Sequence, residues 1–458
     1  MNFFFNTSKW LLCSTLFVFI LVSCGKDNNV DTAITQKTVK EYDSSIPQQW
    51  NNLFLEIERY ATVYRPCPAA RMLGYVGLGL YEAEVSGMPT YQSIASSLGL
   101  TIPKVEDGKE YHWPTVANAV YAAMYKKFFA KVQASDLLKI ATLESAINSQ
   151  SAKTVASDVY LRSKAYGADV AEAVWQYSKT DTEGHDKYLD PRPTGYVAPT
   201  GLGKWKPTPP GNQAAMFPYW GKVRTFAIKD GDKIARPPLT YSESKTSPYY
   251  AQGLEVYAVT KPQTTEARWI GEFWSDDVLG FTFSPPSRWV AIGTQALVQN
   301  KSNLETAVMM LVKVGLALND ASVACWGSKY TYNIERPVTY IQKVIDPQWN
   351  ITDLTTNSFL SSTPSFPAYP SGHSTFGAAA AEALTSVFGD NYSFTDRCHE
   401  NRTDFNGKPR AFNSFYEMAE ENAISRINIG VHWRMDSEEG LRLGYLCGRR
   451  VNTLPFKK

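Results

Sequence analysis

Histidine is scarce in this 458-residue chain, with five in all, so each can be weighed singly as a candidate for proton or metal chemistry. Cysteine is scarce too: six residues and no Cys-x-x-Cys pair, which argues against a structural zinc site. Charge of one sign is lacking. With 46 basic and 44 acidic residues and a net charge of +2, neither a basic nucleic-acid-binding surface nor an acidic solvating tail is expected. No sustained period-two alternation and no solenoid-type repeat is visible. What the chain does have is apolar residues, 44% of the total, too many for a disordered protein. It is also long enough to bury a large core.

The most apolar stretch is at the N-terminus. Lys9 precedes an apolar run from Trp10 to Val22, about the length of a signal-peptide hydrophobic region and short for a membrane span of roughly 20 residues. It ends Leu21-Val22-Ser23-Cys24, which resembles a bacterial lipoprotein cleavage site. Residues 1–23 are thus expected to be a signal peptide and Cys24 the lipidated first residue of an exported lipoprotein on a periplasmic or outer-membrane surface. Residues 24–46 are expected to form a flexible tether. No later segment reads as a membrane span, so contact with the membrane is expected only through the lipid. Among Cys67, Cys325, Cys398 and Cys447, export permits a disulfide. Cys398 is the best-placed participant, no pair is assigned, and Cys325 reads as buried.

The rest of the chain, 47–458, reads as one all-α domain. Apolar residues at three- and four-residue spacing predict helices over 49–63, 69–85, 113–129, 134–148 and 152–177. The run 303–326 is apolar nearly all round, which predicts a helix buried in the middle of the structure. Between Gly184 and about Pro262, proline, glycine and aromatics dominate. A stretch this long and this aromatic is expected to be irregular and to lie over the body.

Three clusters in the C-terminal half carry chemistry. The first is Trp326-Gly-Ser-Lys329, with Arg336-Pro337 following. Lys329 and Arg336 are seven residues apart, two turns if helical, so both can face one pocket, and Pro337 is expected to end or kink the segment. The second is Phe366-Pro-Ala-Tyr-Pro370-Ser371-Gly372-His373, running into an alanine-rich helix former that Gly389 is placed to terminate. Its helix N-terminus favours an anion. Ser371 adds a hydroxyl donor, Gly372 permits close backbone approach, and His373 is placed to trade protons with a ligand. The third is Ser425-Arg426-Ile-Asn-Ile-Gly430-Val-His432-Trp-Arg-Met-Asp436. Arg426 is expected on a helix starting near Ser414, with His432 beyond the helix-ending Gly430. Asp436 is placed to orient the His432 ring or to cap the next helix with Glu439 completing a capping box. Three cations around a dianion give roughly 4 kcal/mol each in gross Coulomb energy at an effective dielectric of about 20. The set suits a tetrahedral oxyanion, with Arg forks binding two oxygens at once.

Lys-(six residues)-Arg-Pro, then Pro-Ser-Gly-His, then Ser-Arg-(five residues)-His-(three residues)-Asp resembles the signature shared by vanadium-dependent haloperoxidases and type 2 phosphatidic acid phosphatases. The resemblance implies two packed helical bundles, here with the long proline- and aromatic-rich segment between them. It also implies one of two chemistries. As a haloperoxidase, the chain would hold vanadate with His432 as the metal ligand. Lys329, Arg336, Ser371, Gly372 and Arg426 would bind the vanadate oxygens, and His373 would be the acid/base. Lys329 would polarise hydrogen peroxide, a halide would be oxidised, and Trp326 and Phe366 would line the halide side. As an acid phosphatase, it would use His432 as the nucleophile on a small phosphoester. The length, and the wording around Trp326, Phe366 and Gly430–Asp436, resemble soluble bacterial haloperoxidases that oxidise iodide or bromide. A third reading keeps the fold for binding only. Asp276, Asp277 and Asp320 are candidate partners for Arg426. His112, His185 and His399 read as surface or structural, with His185 the best placed of them to approach the site.

Overall fold

The apolar run expected as a buried helix forms the axis of the protein. The computed structural model describes residues 36–276, 278–352 and 363–458, and the expected signal peptide, Cys24 and Asp277 lie outside them. Thirteen α-helices and one two-stranded sheet occur among the described residues. The first five helices are α1 (Ser45–Glu58), α2 (Cys67–Glu84), α3 (Trp113–Phe128), α4 (Ala134–Thr154) and α5 (Ser157–Lys179). Then come α6 (Pro248–Thr260), α7 (Thr265–Phe273), α8 (Pro285–Gln299) and the long α9 (Leu304–Tyr332). The C-terminal part holds α10 (Pro337–Val344), α11 (Gly372–Phe388), α12 (Phe415–Asn428) and α13 (Arg434–Asn452). The strands β1 (Phe394–Asp396) and β2 (Arg410–Phe412) pair antiparallel between α11 and α12.

α9 is capped at its start by the Asn303 side chain, which accepts from the Thr306 amide. It ends where Asn333 turns left-handed at φ 52°. One side of α9 packs on α2, which also meets α3 and α5, so α2–α5 form an N-terminal bundle. Its other side packs on α11 and α13, which with α12 form a C-terminal bundle. α11 and α13 approach closely because α13 carries Gly440, Gly444 and Gly448 at four-residue spacing on the face toward α11. A Cβ at Gly440 would lie 2.8 Å from the Ser371 carbonyl oxygen, so the start of α11 is set by backbone contact with α13.

One expectation is corrected. Residues 37–46 pack on the body where a tether was expected. Val39 and Ser44 are buried, the Lys37 carbonyl accepts from the Trp113 indole, and the Tyr42 carbonyl accepts from the Leu304 amide. No disulfide forms among the described cysteines; Cys325, Cys398 and Cys447 are free thiols, and Cys325 is buried as expected. The aromatic-rich segment is irregular but also contains α6, whose apolar residues are not confined to one face. It is tied to α9 and α13 by many polar contacts. Asp320 accepts the amides of Phe226, Ala227 and Ile228. Ser328 accepts the Ala235 amide, and Glu439 accepts both the amide and the guanidinium of Arg236. Asp320 therefore anchors this segment and is not a partner of Arg426.

Candidate active site

Lys329 and Arg336 do not share a helix. Lys329 is in the last turn of α9, whereas Arg336 is the extended N-cap of α10, and Pro337 opens that helix instead of ending one. The left-handed turn at Asn333 brings the two side chains into one buried space, both at 0% exposure. The Lys329 ammonium donates to the carbonyls of Pro367 (2.9 Å), Ala368 (2.9 Å) and Pro370 (2.6 Å). Burial pushes it down to about 8, with Arg336 adding to the effect and Cys325 opposing it. Arg336 is clamped by two bonds to the Phe366 carbonyl and one to that of Val431. Burial disfavours its charge too, but a guanidinium keeps its proton.

His432 lies just beyond Gly430, which has a positive φ of 81° and ends the turn after α12. Its Nδ1 is 2.8 Å from Asp436 Oδ2, which puts the proton on Nδ1 and leaves the Nε2 lone pair to accept. That lone pair is 3.1 Å from Arg336 Nη1. Burial first, then Arg336, Lys329, Arg426 and His373, hold the ring well below the ordinary histidine range, so it is neutral. Asp436 also accepts the Trp433 amide (3.0 Å) and occupies the third position of α13. The box closes on Trp433, and Glu439 turns instead to Arg236 and Arg442. Burial pushes the Asp436 carboxyl up to about 7 against the pull of the Trp433 amide, Lys329 and Arg336.

Ser371 caps α11, accepting the Ser374 amide while its own amide donates 2.8 Å to the Asp436 carbonyl. The second and third clusters are thereby joined through backbone. Gly372 and His373 form the first turn of α11. His373 is 6% exposed, and its Nε2 has no hydrogen-bond partner among the described residues. Burial first, then Arg426, hold it neutral. Arg426, on α12 after the Ser414 cap, donates to the Trp274 carbonyl at 3.3 Å. Burial pushes the Asp276 carboxyl up to about 7, while Arg288 and Arg426 pull it down. Trp326 and Phe366 stand 5.0 Å apart, and Lys329 Nζ lies 5.1 Å from the centre of the Phe366 ring. The structure thus gathers Trp326, Lys329, Arg336, Phe366, Ser371, Gly372, His373, Arg426, His432 and Asp436 around one place.

The other histidines lie elsewhere. His185 packs on Trp175 of the N-terminal bundle, His112 meets Thr115, and His399 is buried against Arg288. Sequence reasoning missed the carbonyls of 367–370 that hold Lys329 and the Trp274 carbonyl that holds Arg426, since a backbone acceptor has no residue signature. It also missed Glu335. This side chain is 5% exposed, one of its carboxylate oxygens has no hydrogen-bond partner among the described residues, and burial pushes it up to about 7. A raised carboxyl stabilises fully below its unfolded value, here 4.5, and loses that contribution as pH rises through 7. Urea unfolding of Glu335→Gln should therefore gain on the parent chain between pH 4.5 and 7, by up to roughly 3 kcal/mol, and stay level above. A difference independent of pH would contradict this.

Residues 309–455 match the family model described as the VCPO second helical-bundle domain, which holds every site residue named above. Over these residues the chain resembles the superfamily of vanadium-dependent haloperoxidases and type 2 phosphatidic acid phosphatases. Within that superfamily it is similar to the vanadium chloroperoxidase of Curvularia inaequalis, 25% identical over 278 residues, 48% of this chain and 46% of that protein. The match spans about half the length of this curated relative. A solved structure described as the first bacterial vanadium-dependent iodoperoxidase is 26% identical, with a TM-score of 0.77 over 90% of this chain and 97% of that one. A holo-type bacterial vanadium-dependent chloroperoxidase shares the fold, with a TM-score of 0.63, 15% identity, and coverage of 89% and 92%.

Proposed function

We propose that the chain is a vanadate-dependent haloperoxidase that oxidises iodide or bromide with hydrogen peroxide. The observation that carries this reading is the joint geometry of His432 and its surroundings. A neutral imidazole, oriented by Asp436 at 2.8 Å, meets three buried cations beside the aromatic wall of Trp326 and Phe366. The similarity to an iodoperoxidase along nearly its whole length supports the choice of halide.

The residues present fit an oxyanion of vanadium. His373 Nε2 is a buried polar atom with no hydrogen-bond partner among the described residues, and the start of α11 offers the Gly372 amide and the Ser371 hydroxyl. His432 Nε2 would be the metal ligand, and Lys329, Arg336, Arg426, Ser371 and Gly372 would hold the oxygens. When bound, the group supplies Lewis-acid activation of hydrogen peroxide. The chain does the rest. Asp436 keeps the His432 proton on Nδ1 so that Nε2 stays basic. His373 Nε2 takes or returns a proton at the peroxide oxygens. Lys329, fixed by three carbonyls, brings positive charge to the oxygen that leaves with the halide. Trp326 and Phe366 keep water off the halide and offer it polarisable faces.

The test is halide oxidation with hydrogen peroxide by the purified protein after incubation with orthovanadate, against hydrolysis of a chromogenic phosphoester without it. Triiodide formation or bromination of a reporter, with negligible phosphoester turnover, is expected. Phosphoester turnover without halide oxidation would replace this reading by the phosphatase, and silence in both assays by a binding protein.

A further inference from the structure

A site that releases hypohalous acid must coexist with the chain's own thioethers, the side chains most readily oxidised by it after thiols. The sequence has nine methionines. Seven of the eight within the described residues are at most 7% exposed: Met72, Met88, Met124, Met309, Met310, Met418 and Met435. The eighth, Met216, is half-buried.

Met216 is also placed next to the site. Its amide donates 3.0 Å to the carbonyl of Ser365, the residue before Phe366. Its carbonyl accepts the hydroxyl of Tyr330, the residue after Lys329, at 2.6 Å. Its sulfur lies 3.7 Å from Arg192 Nη2, and the same guanidinium holds the Gln213 side chain and the Ala214 carbonyl. A thioether is a weak acceptor for such a donor. A sulfoxide oxygen is a strong one, and the donor for it is already in place.

We propose, resting on the haloperoxidase reading, that Met216 is a modification site converted to the sulfoxide by hypohalous acid formed in the adjacent site. The sulfur attacks the halogen of hypohalous acid and hydroxide leaves, giving a halosulfonium. Water adds to sulfur as halide departs with loss of protons. The sum is thioether plus hypohalous acid to sulfoxide, halide and a proton, with sulfur oxidised by two electrons and the halogen reduced by two. The new oxygen accepts from Arg192.

The full vanadate-loaded protein is turned over with hydrogen peroxide and iodide, with triiodide followed by absorbance, and its methionine-containing peptides are then weighed by mass spectrometry. The expected result is a 16-dalton gain on the Met216 peptide at occupancy at least about tenfold above any other described methionine. The gain should persist when excess free methionine scavenges oxidant in bulk and should be lost without halide. Met216→Leu should keep halide oxidation within about twofold and lose the gain. Triiodide formation with an unmodified Met216 overturns the proposal. So does modification that the bulk scavenger abolishes, or that peroxide alone reproduces to the same extent. Absence of triiodide sinks the parent reading, and this one with it, and is seen in the absorbance before any peptide is weighed.

Discussion

Replacing His432 by alanine is expected to abolish halide oxidation, by roughly three orders of magnitude or more, and to remove measurable orthovanadate binding. The imidazole is 2% exposed and receives the orientation of Asp436 on one nitrogen and the Arg336 donor on the other. Among the described residues no neighbouring side chain offers a second neutral nitrogen in that position, because His373 stands on α11 and not in the turn that carries His432. The Asp436→Asn variant separates orientation from ligation. It keeps an oxygen near Nδ1 but can present an amide N–H, which favours the wrong tautomer, and a loss of about 10–100-fold in orthovanadate affinity is expected. Calorimetric titration with orthovanadate and a thermal melt of each variant make the check. A His432→Ala protein that melts like the parent yet still binds orthovanadate with similar affinity would contradict the assignment.

Arg288→Met is expected to be the most destabilising single change near the site, by about 3–5 kcal/mol in urea unfolding. Arg288 is 0% exposed and pairs with Asp396 at 2.8 Å and with Asp276 at 3.6 Å. It is also in contact with His399 and lies over the rings of Phe273 (4.7 Å) and Trp274 (4.8 Å). Methionine fills much of the volume, leaves the buried Asp396 without its cation and removes the largest of the cationic pulls on the buried Asp276. Among the described residues Asp396 keeps the Cys398 amide and Gln295. Trp274, whose ring lies beneath Arg288, carries the carbonyl that receives Arg426, so orthovanadate affinity should fall as well. Adding Asp396→Asn to Arg288→Met removes the stranded charge, and part of the loss should return, as a double-mutant cycle would show. A loss below about 1 kcal/mol for Arg288→Met would mean that the pair is not carrying the turn at 273–276.

The helices that were legible are those with a strong apolar period. α2, α3 and α9 lie close to their expected ranges because their apolar faces leave no other way to be buried. α6 was not legible, since the proline and glycine around it dominate the local texture. The strand pair β1–β2 was not either, since three residues are too few to show an alternation. At the site, Asp436 beside His432 was readable because four-residue spacing brings the two together at a helix start. The partner of Arg426 was not. Of the three aspartates considered, Asp320 serves the amides of 226–228, Asp276 pairs with Arg288, and Asp277 lies outside the described residues, and nothing in their sequence surroundings distinguishes them.

The sequence by itself determined an all-helical protein with one buried axial helix and three short segments rich in cations, a helix-start serine and two histidines. Those properties are local: they follow from period, capping and residue type. Only the tertiary structure decided that Lys329 and Arg336 meet across a left-handed turn rather than along one helix, and that the carbonyls of 367–370 hold the lysine. It alone showed that the glycines of α13 let Asp436 reach the backbone of Ser371. Each of these depends on contacts between segments far apart in the chain, and backbone groups and close helix approach make those contacts without leaving a residue pattern to read.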